Sequence, residues 1–396
     1  MTTRTRPRAG LVALAAVVIT ATALTGPAGA ARNAAAPAVR HQAGHEATRQ
    51  AIEAAVGAGV PGVAAEARNA DGVWRTAVGV GDLRTGAARG AGDRFRVGSI
   101  TNTFVAVVLL QMAAEGKLSL DDTVERHLPG VVAGNGNDGG TVTVRQLLNH
   151  TSGLFDYLSE PAYYQRYVLG DGFLQHRYDA LPPGQRLEVA FSHPPLFRPG
   201  DRHAFSHTND LLAALIVEEA GGRSYEEEVR RRIVEPLGLR ATSHPGARTV
   251  PPRPSARGYC KLFFDTRPDR IDDVTAFHGS QVWGDGDIIS TAGDLNRFYR
   301  ALMRGELLPP RLLAELKTTV VNPDLPISSY GLGIERLEMG CGKSLWYHDG
   351  GTVGSLTFVA TTEDGGHQFT FNYNGDWEVS QLLPTLNAEF CDPSSG

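Results

Sequence analysis

Phe95-Arg96-Val97-Gly98-Ser99-Ile100-Thr101-Asn102 is the stretch on which the fold turns. Phe95 to Gly98 reads as a strand-like lead-in, and an apolar helical run follows from Phe104 to Glu115, stopped by Gly116. Ser99 therefore stands at the start of a buried-looking helix. A serine there can be only an N-cap. It can also be a nucleophile, because its own N–H and the helix dipole favour a developing oxyanion. On these residues alone both readings stay open.

Working outward, Glu46 to Ala58 carries an amphipathic helical pattern, and Val63–Asn69 and Val73–Val80 alternate around Ala70-Asp71-Gly72 as a hairpin. A helix start falls in Thr141–Asn149. Residues 154–285 are rich in Pro, Gly and helical fragments such as Asp210–Ala220 and Tyr225–Ile233. A β rhythm returns in Tyr330–Leu337, Ser344–Tyr347, Ser355–Thr362 and His367–Tyr373, and a helix over Val379–Phe390 closes the chain. Strands at both ends with helices between predict one sheet built from distant segments, with a helical insertion. The expected division is an α/β unit over 45–140 and 286–392 and a helical unit over 141–285.

The chain has 396 residues with a net charge of −5 and 42% hydrophobic residues, enough for a sizeable core and without the basic surplus that nucleic-acid binding needs. Arg4, Arg6 and Arg8, the apolar run Ala9–Leu24, and Ala28-Gly29-Ala30 read as an export signal over 1–30, followed by an Ala-rich leader over 31–44. The run is too short to span a bilayer, so a secreted protein without a stable membrane anchor is expected. Three cysteines in an exported chain favour one disulfide and one leftover thiol. No His-Glu-x-x-His or Cys-x-x-Cys spacing occurs, so neither a metal nor another cofactor is expected.

The stretch around Ser99 resembles the nucleophile motif of the penicillin-recognising serine hydrolases, which include class C β-lactamases, D-alanyl-D-alanine carboxypeptidases and their esterase and transacylase relatives. Thr143-Val144-Arg145-Gln146-Leu147-Leu148-Asn149-His150-Thr151-Ser152-Gly153-Leu154 is similar to the family's next block. Phe205-Ser206-His207-Thr208-Asn209, Glu235-Pro236-Leu237-Gly238, Ser290-Thr291-Ala292-Gly293-Asp294-Leu295, Tyr330-Gly331-Leu332-Gly333-Ile334 and His348-Asp349-Gly350-Gly351 follow in family order. Within the family the nearest resemblance is to the secreted actinomycete D-alanyl-D-alanine carboxypeptidase. The resemblance implies an antiparallel sheet flanked by helices with an inserted, mostly helical domain. It also implies a Cys341–Cys391 disulfide that leaves Cys260 free, and an oxyanion hole formed by the N–H groups of Ser99 and Gly351.

The chain departs from that family where protons are handled. Ser-x-x-Lys is here Ser99-Ile100-Thr101-Asn102. None of Lys117, Lys261, Lys317 and Lys343, the four lysines, has a serine three residues before it. Tyr-x-Asn is here Phe205-Ser206-His207, and the third motif survives as His348-Asp349-Gly350. Asn102 cannot titrate and Phe205 has no polar atom. Serine at its ordinary pKa needs a base, and losing that help costs about 10²–10⁴ in rate. His207 is the expected replacement base, ionising near the ~6.5 of free imidazole, and His348 is the fallback. A drifted, inactive site is the competing reading of His207. His150 and His203 read as scaffold.

The resemblance places Glu335 where the carboxypeptidases carry a basic residue for the substrate carboxylate, with Arg336 beside it. Asp349 stands, next to Gly350, where a Thr or Ser is usual. Two acidic groups in place of donors would repel a carboxylate, so a neutral or cationic leaving portion is expected. The resulting expectation is a secreted monomeric serine hydrolase or acyltransferase. It would act on a small peptide or ester acyl group through a Ser99 acyl-enzyme. The alternatives are a peptide cyclase or transacylase of a biosynthetic pathway, and an inactive protein that binds peptidoglycan peptide, a β-lactam or a protein partner.

Overall fold

The computed structural model describes residues 44–391. The expected signal segment and nearly all of the leader lie outside these residues. Among those described, no helix is long and apolar enough to cross a membrane.

The chain enters through helix α1 (Glu46–Gly57) and the hairpin β1 (Gly62–Asn69) and β2 (Gly72–Asp82), which ends at the short edge strand β3 (Ala87–Ala88). Helix α2 (Ile100–Ala114) follows Ser99, and α3 (His207–Gly221) and α4 (Ala292–Met303) come later. The other strands of the main sheet are β4 (Val320–Val321), β5 (Ser328–Tyr330), β6 (Glu335–Glu338), β7 (Ser344–Thr352), β8 (Ser355–Thr361) and β9 (Gln368–Tyr373), before α5 (Leu382–Phe390). They form one antiparallel sheet in the order β4-β5-β6-β7-β8-β9-β1-β2-β3, so the first hairpin joins the C-terminal meander through β1 and β9. Tyr330–Leu337 is therefore two strands, not one. Gly333 turns the chain with φ +68 and a Cβ there would lie 2.6 Å from the Ala106 Cβ of α2. The last helix begins at Leu382 rather than Val379.

Alternation along the strands sends side chains to two faces. Leu345 and Tyr347 join Phe358, Phe369 and Phe371 in a core with Ile52 and Ala55 of α1 and Leu386 and Phe390 of α5. Trp346 and Val359 pack on the opposite side, in the core that holds α2, α3 and α4. Helix α2 is largely apolar and buried around its whole circumference from Ile100 to Leu110, as its place between sheet and helices requires. Cys341, in the β6–β7 turn, is bonded to Cys391 at the end of α5, and Cys260 is free and buried. Glu389 of α5 ties two further pieces of chain together: it accepts from Thr48 Oγ1 at 2.8 Å and pairs with His45, both at the start of α1, and it pairs with His367.

Candidate active site

The Ser99 loop is pressed against β7. Gly98 has φ +61, and a Cβ there would lie 2.5 Å from the Gly351 nitrogen. Gly350 has the converse constraint: its Cβ would sit 2.7 Å from the Ser99 nitrogen and 2.1 Å from the Val97 carbonyl oxygen. Only glycine at both positions lets the Ser99 loop and β7 pack backbone against backbone this closely. Ser99 is itself helical in conformation, and its hydroxyl caps no N–H of α2. Its backbone N–H likewise has no backbone partner among the described residues. The capping role that the sequence left open is thus not taken. Ser99 is half-buried with its hydroxyl uncommitted.

Asn102, one turn along α2, is buried, and neither atom of its amide has a hydrogen-bond partner. It lies beside Asp210 of α3, close enough to favour the ionised carboxylate yet outside hydrogen-bond geometry. Burial nevertheless holds the Asp210 carboxyl well above the usual carboxylate range. Its Oδ1 is 3.7 Å from His150 Nε2. His150 Nδ1 accepts from the Ser206 N–H at 3.2 Å and faces the Asn209 amide at 3.0 Å, which leaves the proton of a neutral ring on Nε2. Burial pushes the His150 imidazolium well down. Phe205 stacks on this ring with centroids 4.2 Å apart. His150 and, with its pKa pushed down to about 4 by burial, His203 are neutral scaffold.

His207 opens α3. Its Nδ1 lies 3.2 Å from both carboxylate oxygens of Asp156, and its backbone N–H donates to Oδ1 of the same group at 3.2 Å. Burial disfavours the imidazolium, but the Asp156 charge and hydrogen bond outweigh it and push the pKa up to about 9. Its Nε2 is left free, yet there is no hydrogen bond from His207 to Ser99. The expectation of a base ionising near 6.5 is corrected. The carboxylate, 51 residues away in sequence, raises the ionisation, and the ring is oriented by Asp156 rather than by serine.

His348 lies on β7. Its Nε2 is 2.9 Å from the Tyr330 hydroxyl and its Nδ1 is 2.5 Å from the Asp349 carbonyl oxygen. Burial lowers its pKa, so the ring is neutral, donating through Nδ1 and accepting through Nε2. With both nitrogens engaged, it is not available as a direct base for Ser99. Tyr330 puts a phenol between Phe205 and His348, with ring centroids 6.3 Å and 5.9 Å away respectively.

Glu335 and Asp349 are the acidic groups beside His348. Glu335 is buried, and its Oε2 accepts from Ser328 Oγ and Tyr347 Oη, each at 2.8 Å. Arg336 turns outward to Glu338 at 3.1 Å. Ligand atoms of Glu335, His348 and Asp349 come within 4.8 Å of one another, although both imidazole nitrogens already have partners. Burial and the Asp349 charge push the Glu335 carboxyl up to about 8.

Sequence reasoning missed Asp156, Asp210 and Tyr330. Asp210 directly follows the Phe-Ser-His-Thr-Asn block, so an acid one step beyond a degenerate motif was the available signal. Nothing in the spacing ties Asp156 to His207.

Residues 48–385 match the family model described as Beta-lactamase. A D-stereospecific amidohydrolase from Streptomyces sp. superposes with a TM-score of 0.82 at 47% identity, over 88% of this chain and 98% of that one. Esterase EstB of Burkholderia gladioli is 33% identical over 352 residues, 82% of this chain and 83% of the esterase. The D-amino acid amidase from Ochrobactrum anthropi SV3, solved with L-phenylalanine, superposes with a TM-score of 0.71 at 25% identity, over 83% of this chain and 91% of that one.

Proposed function

We propose that this chain, which belongs to the beta-lactamase family of serine hydrolases, is an exported, monomeric acyl-transfer enzyme. It would cleave a small peptide amide or ester through a covalent Ser99 ester. The observation that carries this reading is the uncommitted Ser99 hydroxyl and N–H, held against Gly350 and Gly351. The similarity to an amidohydrolase and an esterase supports an amide or ester bond as the target.

In this reading Ser99 Oγ attacks the acyl carbon and its proton passes to the free Nε2 of neutral His207, directly or through one water. The Ser99 and Gly351 N–H groups receive the oxyanion. The C–N or C–O bond breaks as the proton is returned to the departing amine or alcohol. Water or an acceptor amine then takes the acyl group and frees Ser99. At pH 7, two units below the ionisation of His207, roughly 1% of the rings are neutral, so turnover is slow at neutrality. Asp349, joined by Glu335 once that carboxyl ionises above about 8, disfavours substrates ending in a carboxylate and favours neutral or cationic leaving portions.

A second reading, a binding protein without turnover, is favoured by one observation: Asn102 and Phe205 remove both groups that serve as proton carriers in the family motif. One experiment separates the two. The chain is exposed at pH 9 to a fluorescent penicillin and to a D-phenylalanine active ester, and its intact mass is followed. An adduct on the Ser99 peptide, absent from Ser99→Ala, supports the enzyme. No adduct from either donor over a day supports the binding protein.

A further inference from the structure

Beside Phe95–Arg96, a two-residue strand paired with Ile289–Ser290 just before Ser99, lies a cavity of about 30 Å³ whose wall includes Arg89, Arg94, Arg96 and Arg257 and not one Asp or Glu. Arg89 and Arg96 are each more than nine-tenths buried. Arg89 Nη2 donates to Asn372 Oδ1 at 2.7 Å, but its Nε has no partner. The nearest carboxylate oxygen, Asp93 Oδ2, is 3.7 Å from that Nε and already accepts from the Gly90 N–H at 2.9 Å. Arg96 lies over the Phe277 ring at 3.9 Å, and its Nη2 donates to the carbonyl oxygens of Thr249 and Phe277 at 3.0 and 3.3 Å. Its Nη1 has no partner. Arg257 is paired outside the cavity with Asp273.

Arg89 and Arg96 thus line one small space with an unsatisfied N–H apiece; no carboxylate stands in the wall, and Asp93 and Asp287 act on the two guanidinium groups from outside it. Burying an unpaired charge is expensive, and removing a hydrogen-bond partner from a buried donor costs about 1–3 kcal/mol. Water could accept both N–H groups but would bring no charge to a wall that carries Arg89, Arg94 and Arg96 and no carboxylate. A monovalent anion answers both demands. The space suits one such ion or about two waters, at roughly 10–15 Å³ per water on this measure. It is too small for a peptide or a phosphate ester.

We propose that the cavity between Arg89 and Arg96 is a binding site for one small monovalent anion of chloride size. The carbonyl oxygen of Arg96 accepts from Ser355 Oγ at 2.8 Å, so the ion would brace the turn between Arg96 and Ser99 from behind. The site is independent of whether Ser99 turns over.

Bromide is the probe. Crystals grown with sodium bromide as the sole halide should show an anomalous peak in the cavity, within hydrogen-bond distance of Arg89 Nε and Arg96 Nη1. Thermal denaturation should show a saturable rise in Tm of about 2–4 °C in sodium bromide over sodium gluconate at equal ionic strength. Ala256→Asp, which places a carboxylate in the same wall, should abolish the difference. An empty or water-filled cavity in the bromide crystal would overturn the proposal. So would a Tm that is indifferent to bromide, or one that responds equally in Ala256→Asp.

Discussion

Asp156 holds His207 by two contacts at once: the ring Nδ1 lies 3.2 Å from its carboxylate and the backbone N–H of the same histidine donates to it. This fixes the direction of the free Nε2 and raises the ionisation to about 9. The acylation rate should therefore climb with pH through about 9, not level off above 6.5. Asp156→Asn should move the inflection down towards ~6.5, while lowering the plateau because the ring is no longer oriented. Stopped-flow acylation between pH 6 and 10 reads both effects.

The same pair sets a stability trend. A histidine whose folded pKa exceeds its unfolded value stabilises the fold fully below the unfolded pKa, and the contribution disappears as pH rises through the folded one. Between the ~6.5 of the unfolded chain and about 9, up to ~3 kcal/mol should be lost from this group. Chemical denaturation of wild type and His207→Gln at pH 6 and 9 tests this, with the gap between them closing at the higher pH.

Glu335 and Asp349 should make selectivity pH-dependent. Below about 8 the Glu335 carboxyl retains its proton; above it, a second negative charge appears beside the Asp349 carboxylate. Discrimination against a substrate carboxylate should sharpen as pH rises through that value. Glu335→Arg with Asp349→Thr should improve kcat/KM for carboxylate-ended peptides by about tenfold or more relative to their amides. An unchanged ratio of the two substrates would remove these acids from substrate selection.

Cys341–Cys391 spans 50 residues and ties the β6–β7 turn to the end of α5. The chain-entropy account values such a loop at roughly 4 kcal/mol, so Cys341→Ser with Cys391→Ser should lower Tm by about 5–10 °C. A single free thiol in the unreduced, unfolded wild type, mapped to Cys260, checks the pairing.

Elements whose signal is local were legible in the sequence. The β1–β2 hairpin shows alternation around Asp71-Gly72, and α2 shows an apolar run ended by Gly116. The Ser99–Gly351 juxtaposition was legible only through the resemblance, since two glycines 252 residues apart carry no pattern of their own. What stayed hidden was electrostatic. The spacing of a histidine does not reveal which carboxylate will face it, so a base ionising near 6.5 was the natural expectation for His207. Tyr330 was hidden for another reason: its strand ends at the Gly331–Gly333 turn, which the alternation of Tyr330–Leu337 masks.

Asn102 and Asp210 give the most demanding test. The position that carries an ammonium in Ser-x-x-Lys here holds an amide beside a buried carboxyl with one unpartnered oxygen. Asn102→Lys would place a cation against that carboxyl, which should ionise to pair with it, so the substituted lysine would stay charged rather than act as a free amine. Asn102→Lys alone should therefore raise acylation little. Combined with Asp210→Tyr, Phe205→Tyr and His207→Asn, it should recover about 10²–10⁴ in rate at pH 7, the range that general-base help supplies. The order of the gains matters as much as their size. If Asn102→Lys by itself produced the full increase, Asp210 would not control the charge at that position. If the fourfold variant gained nothing while folding normally, the loss of the lysine and tyrosine would not be what slows this site.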